Sequence, residues 1–404
     1  MIEGLYTSVT GMSAFSNQLS VISDNVSNSE TTSYKSNSVS FADMLNQSLT
    51  GTSGNSVGAG VEVQAITACW NQGSLSSTGT STDLAINGSG FFILQNDEGV
   101  TYYTRNGGFE FDNAGTLVNS SGLAVQGYAI DESGNFGTLS DIVISYEPIP
   151  PSATSEMYTS VNLSSGLESG NTYSTTTSVY DSLGNEISLT ITYTKSATEN
   201  EWDWEASIPS TYGALTGDTS GTITFESDGS LSSGTDPVFT MSLTNGADDT
   251  QTITWDLYDE SGTTNGYLTQ YAGDSSINEQ GQDGYASGNI YDVSITEDGV
   301  IVGAYTNGET QDLFQIALAD FINYNGLKKT GSGLYQATAD SGQAIVGIPG
   351  SGQFGSVTAE SLEMSNVDMA TQLANLITAQ RAYQACARVF NVTSEVLETT
   401  VNLK

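Results

Sequence analysis

Two tripeptides in this chain spell parts of an acyl-transfer site. Ser23-Asp24-Asn25 and Lys329-Thr330-Gly331 match two of the three signatures of the serine acylases. The third, a serine three residues before a lysine, is missing, and Thr32 with Lys35 is the nearest approach. Without that pair no hydroxyl is activated, and two tripeptides arise readily by chance in a Ser-rich chain. Asp203 between Trp202 and Trp204 offers a second chemistry, a carboxylate flanked by aromatics that stack on sugar rings. The alternation through Glu201–Ser207 fits a strand with its aromatics on one face far better. Histidine is absent, which removes the commonest general base and the commonest metal ligand. Six acidic turns invite a Ca²⁺ reading, but they lack the oxygen-ligand spacing and closing Glu of a known loop. The sequence therefore leads us to expect no catalytic residue, no metal and no cofactor.

Charge narrows the partners. The 404 residues carry 8 basic and 46 acidic side chains, net −38, so a phosphate backbone or an anionic membrane is repelled and nucleic acid is excluded. The acidic residues are scattered rather than blocked, which argues for a solubilising surface and not for a disordered tail. No window reaches the ~20 apolar residues of a spanning helix, so membrane insertion is not expected. Met1 to Leu19 contains Glu3, no Lys or Arg and no long apolar run, unlike a secretory signal, which deprives Asn25-Val26-Ser27 and Asn119-Ser120-Ser121 of a glycosylation reading. Cys69 and Cys386 fall in regions expected to form different layers, so no disulfide framework is expected.

The two ends differ from the middle. From Ile2 to Val26 apolar residues recur at helical spacing, among them Leu5, Val9, Met12, Leu19, Ile22 and Val26. At the far end Met369, Leu373, Leu376, Tyr383, Phe390, Leu397 and Val401 fall on alternating steps of four and three and predict a coiled-coil seam. Ser365 and Asp368 supply an acidic variant of the capping box, and no Gly or Pro interrupts the stretch that follows, a rod of about 55 Å. Neither helix hides its apolar stripe alone, so each is expected to pack on the other and on further copies.

Between the ends the same turn recurs at 111–117, 130–136, 180–186, 225–231, 258–264 and 295–301: an acidic residue ahead of a Gly, flanked by strand formers. This spells hairpins in series. Pro148, Pro150 and Pro151 mark one break, and the Gly-rich, polar stretch 280–288 marks another. The expected fold is mainly β with paired N- and C-terminal α-helices. It divides into a coiled-coil terminal domain at 1–30 and 362–404, an extended linker at 31–70, a discontinuous inner β domain at 71–145 and 286–361, and an inserted barrel- or sandwich-like β domain at 146–285.

Against this background three segments resemble the flagellar rod and hook protein family. Residues 6–41 resemble the family's start, a helix ending in an SDN-type segment followed by an Asn and a TxxYK element, here Ser23, Asp24, Asn25, Asn28, Thr32, Tyr34 and Lys35. STDLAINGSGFFIL (81–94) and the stretch 102–128 resemble the β-rich segments that follow, and 363–404 is similar to the closing helix. Shorter members are distal-rod-type subunits; the insert at 146–285 makes this chain look like a hook-type member. Cys386 stands where the family usually carries a small or polar residue.

The resemblance implies an axial structural subunit that polymerises with itself into a curved, flexible tube transmitting torque from rod to filament. It further implies export through the flagellar type III apparatus without a cleaved signal, an extracellular place in the hook, and contacts with distal rod, hook cap and hook-filament junction proteins. Arg381 and Arg388, seven apart on one helical face, are candidates for ion pairs with a neighbouring subunit. A distal-rod-type subunit and a secreted, β-rich carbohydrate-binding protein are the alternative readings.

Overall fold

The computed structural model describes residues 2–45, 58–131, 133–248, 250–259 and 261–402. The chain divides into two compact units, one of Met1–Ser145, Val293–Gly303 and Gln311–Lys404, the other of Tyr146–Asp292 and Ala304–Thr310.

The first unit holds two helices, α1 (Ile2–Ser27) and α2 (Met369–Asn402), and strands drawn from both halves of the chain. An antiparallel path runs from Ala124–Ile130 through Phe91–Gln95, Thr101–Thr104 and Leu334–Gln336 to Lys328–Gly331. Its core gathers Phe91, Ile93, Tyr103, Ala319, Phe321 and Tyr335, with Trp70 packed against them in tilted and edge-on ring contacts. The 31–70 stretch, expected as an extended linker, contains instead an antiparallel hairpin, β1 (Asn37–Leu45) on β2 (Gly58–Ala68). The hairpin lies along α1: the Phe15 and Phe41 rings are 5.9 Å apart, and a Cβ on Gly60 would meet Thr10 Oγ1. Burial of such half-apolar strands against a helix is what makes two strands stable where an isolated hairpin is marginal.

The second unit is a pair of sheets. Strands Thr172–Tyr180, Glu186–Lys195, Glu201–Ser207 and Ser220–Thr224 form one; Glu156–Asn162, Val238–Leu243 and Gln251–Trp255 belong to the other. Their inner faces enclose Tyr193, Trp202, Phe239 and Trp255, all fully buried. In Glu201–Ser207 burial alternates strictly, with Trp202 and Trp204 inside and Asp203 outside accepting from Thr222 Oγ1 at 3.1 Å. The strand reading of this segment holds, and neither of its tryptophans is free to stack on a sugar.

Four of the six recurrent turns share one mechanism. In each the leading Asp112, Asp131, Asp181 or Asp259 carboxylate accepts from the backbone N–H groups two and four residues on, while the Gly three residues on has φ between 75° and 83°. The carboxylate satisfies donors the tight turn strands, and only glycine takes the left-handed conformation without penalty.

Candidate functional site: the helix pair and its clasp

Helices α1 and α2 run antiparallel in a fixed register. A Cβ on Gly4 would lie 3.7 Å from Thr393 Cγ2, one on Gly11 would lie 3.0 Å from Cys386 Sγ, and Asn25 Nδ2 is 3.5 Å from Gln372 Oε1. Each rise of seven on α1 meets a fall of seven on α2, as a heptad pairing requires. The most buried positions of α1 are Ser8, Gly11, Ala14, Ile22 and Asn25, and Ala379 is the buried residue of α2. Small side chains let the helices approach closely, and the larger apolar ones fall to the flanks.

This corrects the expected seam. Ile22 is buried; Leu5, Met12, Leu19, Val26, Leu376, Phe390 and Leu397 are half-buried; Val9, Met369, Leu373 and Tyr383 are exposed. The side chain of Val401 lies outside the described residues. A strict seven-residue repeat drifts about 20° per heptad on a straight helix, so Met369 and Leu397, four heptads apart, point about 80° away from each other. The start of α2 is corrected too. Asp368, not Ser365, caps the helix: Oδ1 accepts from Ala370 N–H at 3.0 Å and Oδ2 from Thr371 Oγ1 at 2.6 Å. Those bonds hold the Asp368 carboxyl below its ordinary range.

Away from α1, α2 presents Leu373, Ile377, Val389, Val392 and Val396, between 44% and 59% exposed. Arg381 and Arg388 are exposed on α2, and neither makes an ion pair among the described residues.

At the foot of the pair the TxxYK region knots both ends of the chain to the sheet. Helix α1 closes where Asn28 Nδ2 donates back to Asp24 O at 2.9 Å and Thr31 Oγ1 donates to Asn28 Oδ1 at 3.1 Å. Ser23 is exposed, with its carbonyl accepting from Ser27 Oγ. Buried Asn25 clamps the start of β1, accepting from Asn37 N–H and donating to Asn37 O, both at 2.8 Å. Tyr34 OH donates to Asp24 Oδ2 at 3.0 Å; burial, then this carboxylate, drives its pKa far up. Thr32 lines a cavity of about 500 Å³ beside Asp24, Asn28 and Tyr34.

Lys35 is the centre of the clasp. It is 1% exposed, and its Nζ meets Glu363 Oε1 at 2.5 Å and donates to Asn71 O at 2.9 Å. Glu363, fully buried, also accepts from Gly73 N–H at 2.8 Å. Arg105 faces its other oxygen at 3.9 Å and donates to Gly88 O at 2.7 Å. Burial pushes both Lys35 and Arg105 below their ordinary ranges, while Glu363 pulls the other way. Ser33, at φ 58°, sends its N–H to Glu363 O, and Asn366 Oδ1 accepts from Ser36 N–H. The clasp thus joins the chain after α1, the sheet and the strand leading into α2. Resemblance marks Lys35 and the segment that opens at Glu363, but nothing in the sequence pairs the two across 328 residues.

Both cysteines are free thiols. Among the described residues no group of three or more His, Cys, Asp or Glu is placed to hold a metal ion. No described helix is long and apolar enough to cross a membrane.

Comparison with known proteins gives the same architecture. Residues 5–35 match the family described as flagella basal body rod protein, and 358–403 match the C-terminal family of basal body rod FlgEFG proteins. Residues 85–164 match the flagellar hook protein FlgE/F/G D1 domain, and 152–285 match the flagellar basal body protein FlaE D2 domain. The chain is 34% identical to the flagellar hook protein FlgE of Salmonella typhimurium over 420 residues, covering 98% of each. It is 33% identical to that of Treponema pallidum over 463 residues, covering all of both. The crystal structure of the Helicobacter pylori flagellar hook protein FlgE2 shares the fold, with a TM-score of 0.54 at 16% identity over 72% of this chain and all of that one. With a third of its residues shared with hook proteins along nearly its whole length, and family matches at both helices and both β regions, the chain belongs to the flagellar hook protein FlgE family.

Proposed function

We propose that the chain is a structural subunit of the bacterial flagellar hook, polymerising with itself into a curved, flexible tube, and that it has no catalytic role. The observation that carries this reading is the face of α2 turned away from α1, where five large apolar side chains stand about half exposed. An unpaired stripe of that size is unfavourable in water, and full burial of such a side chain contributes roughly 1.5 to 3 kcal/mol. Covering five half-exposed ones by neighbouring copies therefore adds several kcal/mol per subunit. One chain with different contact surfaces on its two sides polymerises head to tail, and a rotation that does not close gives a helical tube.

In this reading the terminal helices with 362–368 form the innermost layer of the tube. Polar outer surfaces slide at less cost than apolar ones, which suits a bending joint that passes torque from rod to filament. Arg381 and Arg388 face carboxylates of adjacent copies. Distal rod, junction and cap proteins meet the ends of the tube, and the subunit leaves the cell by the flagellar export apparatus.

The test is assembly of the purified chain, followed by negative-stain electron microscopy. Tubes are expected at high protein and salt concentration; only monomers and amorphous precipitate across that range would refute the reading.

A further inference from the structure

The eight basic residues are distributed unevenly. Lys35 and Arg105 are locked in the clasp, and Lys195 is buried over the Trp202 ring at 5.1 Å. Arg381 and Arg388 lie on α2, and Lys404 is outside the described residues. Only Lys328 and Lys329 remain, side by side on Lys328–Gly331, a strand exposed along its length. Tyr146–Asp292 holds 22 acidic residues and the buried Lys195 as its one cation. Attraction between the β regions of two copies therefore has one cationic source among the described residues.

That strand is also a sheet end. Lys328 and Lys329 pair with Gln336 and Tyr335 on one side, and among the described residues no strand pairs with the other. Lysines on an edge strand ordinarily keep other chains away. Here the surroundings reverse that logic, because every approaching copy is strongly acidic and the lysines are what it meets first. Lys329 donates to Asn37 Oδ1 at 3.2 Å and stands 5.8 Å over the Tyr34 ring, with Asp24 the near carboxylate, while Lys328 makes no ion pair among the described residues. Beside them opens the 500 Å³ cavity bounded by Tyr34, Lys329 and Gly333.

We propose that the Lys328–Gly331 edge is a docking site for an acidic segment of a second copy of this chain, so that subunits join through it in addition to their helices. The contact rests on the self-assembling reading above and adds a place to it. An open strand edge supplies backbone hydrogen bonds to an extended partner, and the two ammonium groups select carboxylates.

Carbodiimide coupling, which joins an amine to a carboxylate only in direct contact, tests the proposal on a mixture of unlabelled and ¹⁵N-labelled full-length chains. The expected result is Lys328 or Lys329 coupled to Asp or Glu of the other isotope, read by mass spectrometry. Lys328→Glu is expected to keep the wild-type melting temperature and to raise the concentration needed for assembly about threefold to tenfold, an exposed pair lost and replaced by repulsion. Tubes whose Lys328 and Lys329 couple only within one copy, or a K328E chain assembling at the wild-type concentration, would overturn the contact. The coupling is also read on concentrated chains without tubes. There, coupling between copies in a protein that never forms tubes sinks the hook reading and keeps the contact, and its absence in both states removes the contact.

Discussion

Replacing Glu363 by Gln keeps the shape of the clasp and removes its only carboxylate. The amide oxygen still accepts from Gly73 N–H, but Lys35, 1% exposed, is left without a counter-charge and Arg105, 6% exposed, keeps only the weaker pull of Asp320. Breaking a buried pair in this way costs about 3 to 5 kcal/mol. Lys35 has one escape, to give up its proton. From an unfolded pKa near 10.4 that costs about 4.6 kcal/mol at pH 7 and about 1.9 at pH 9, at 1.36 kcal/mol per pH unit. The Lys35 pKa is already depressed in the folded chain, and losing Glu363 depresses it further. The unfolded state then binds more protons between the folded and unfolded values, so the variant gains stability as pH rises through that window. Amide hydrogen exchange at Ser33, whose N–H bonds to Glu363 O, and at Asn37, held by Asn25, reads the clasp directly. Protection there is expected to fall by about a hundredfold or more at pH 7, since each 1.4 kcal/mol is tenfold. After correction for intrinsic exchange, the deficit narrows towards pH 9, with the strand amides of Glu186–Lys195 as an internal reference. Protection within threefold of wild type, or a deficit that widens with pH, would refute the reasoning.

Other perturbations separate folding from assembly. Val392→Asp alters a residue that is 59% exposed in the single chain, so unfolding should shift by no more than about 0.5 kcal/mol while tubes disappear from electron micrographs. Gly11→Leu drives a side chain against Cys386 Sγ and should destabilise the helix pair by roughly 1 to 3 kcal/mol; adding Cys386→Ala should restore part of it, as a double-mutant cycle on thermal unfolding would register. Asp368→Ala removes the cap of α2 and should raise exchange at 370–372. In the unaltered chain the same capping is lost as pH falls below about 4, because the depressed carboxyl stabilises only while ionised. Sedimentation should show assembly improving with added salt, since net −38 makes copies repel and the screening length shrinks from about 10 Å at 0.1 M to 3 Å at 1 M.

What the sequence makes legible is local. Asp112, Asp131 and Asp259 act on their own neighbours, so the acidic turns and the hairpins they close follow from short-range chemistry. The alternation at Trp202 to Trp204 predicts a buried strand face for the same reason. Both helices are equally plain, but the face by which they meet is not. Periodicity draws attention to Leu5, Met12 and Leu373, whereas residues with almost no side chain, Gly4 and Gly11, leave room opposite Thr393 and Cys386 for the helices to come together. The pairing of Asn37–Leu45 with Gly58–Ala68 is missed because its stability is borrowed from α1, a long-range contact that local composition does not reveal. Glu363 is missed because a charge pair across 328 residues leaves no trace in spacing. The SDN and TxxYK residues are read first as fragments of an acyl-transfer signature and then by resemblance, and their role as hydrogen-bond clamps emerges only when Asn25, Tyr34 and Asn37 are seen together.

The claim on which the account rests is that the outward face of α2 finds cover from water only among other copies. Hydrogen exchange of 373–400, compared between dilute monomer and sedimented polymer of the unaltered chain, tests it most directly. Protection at least about a hundredfold greater in the polymer is the predicted result, while equal protection of that helix in both states would contradict it.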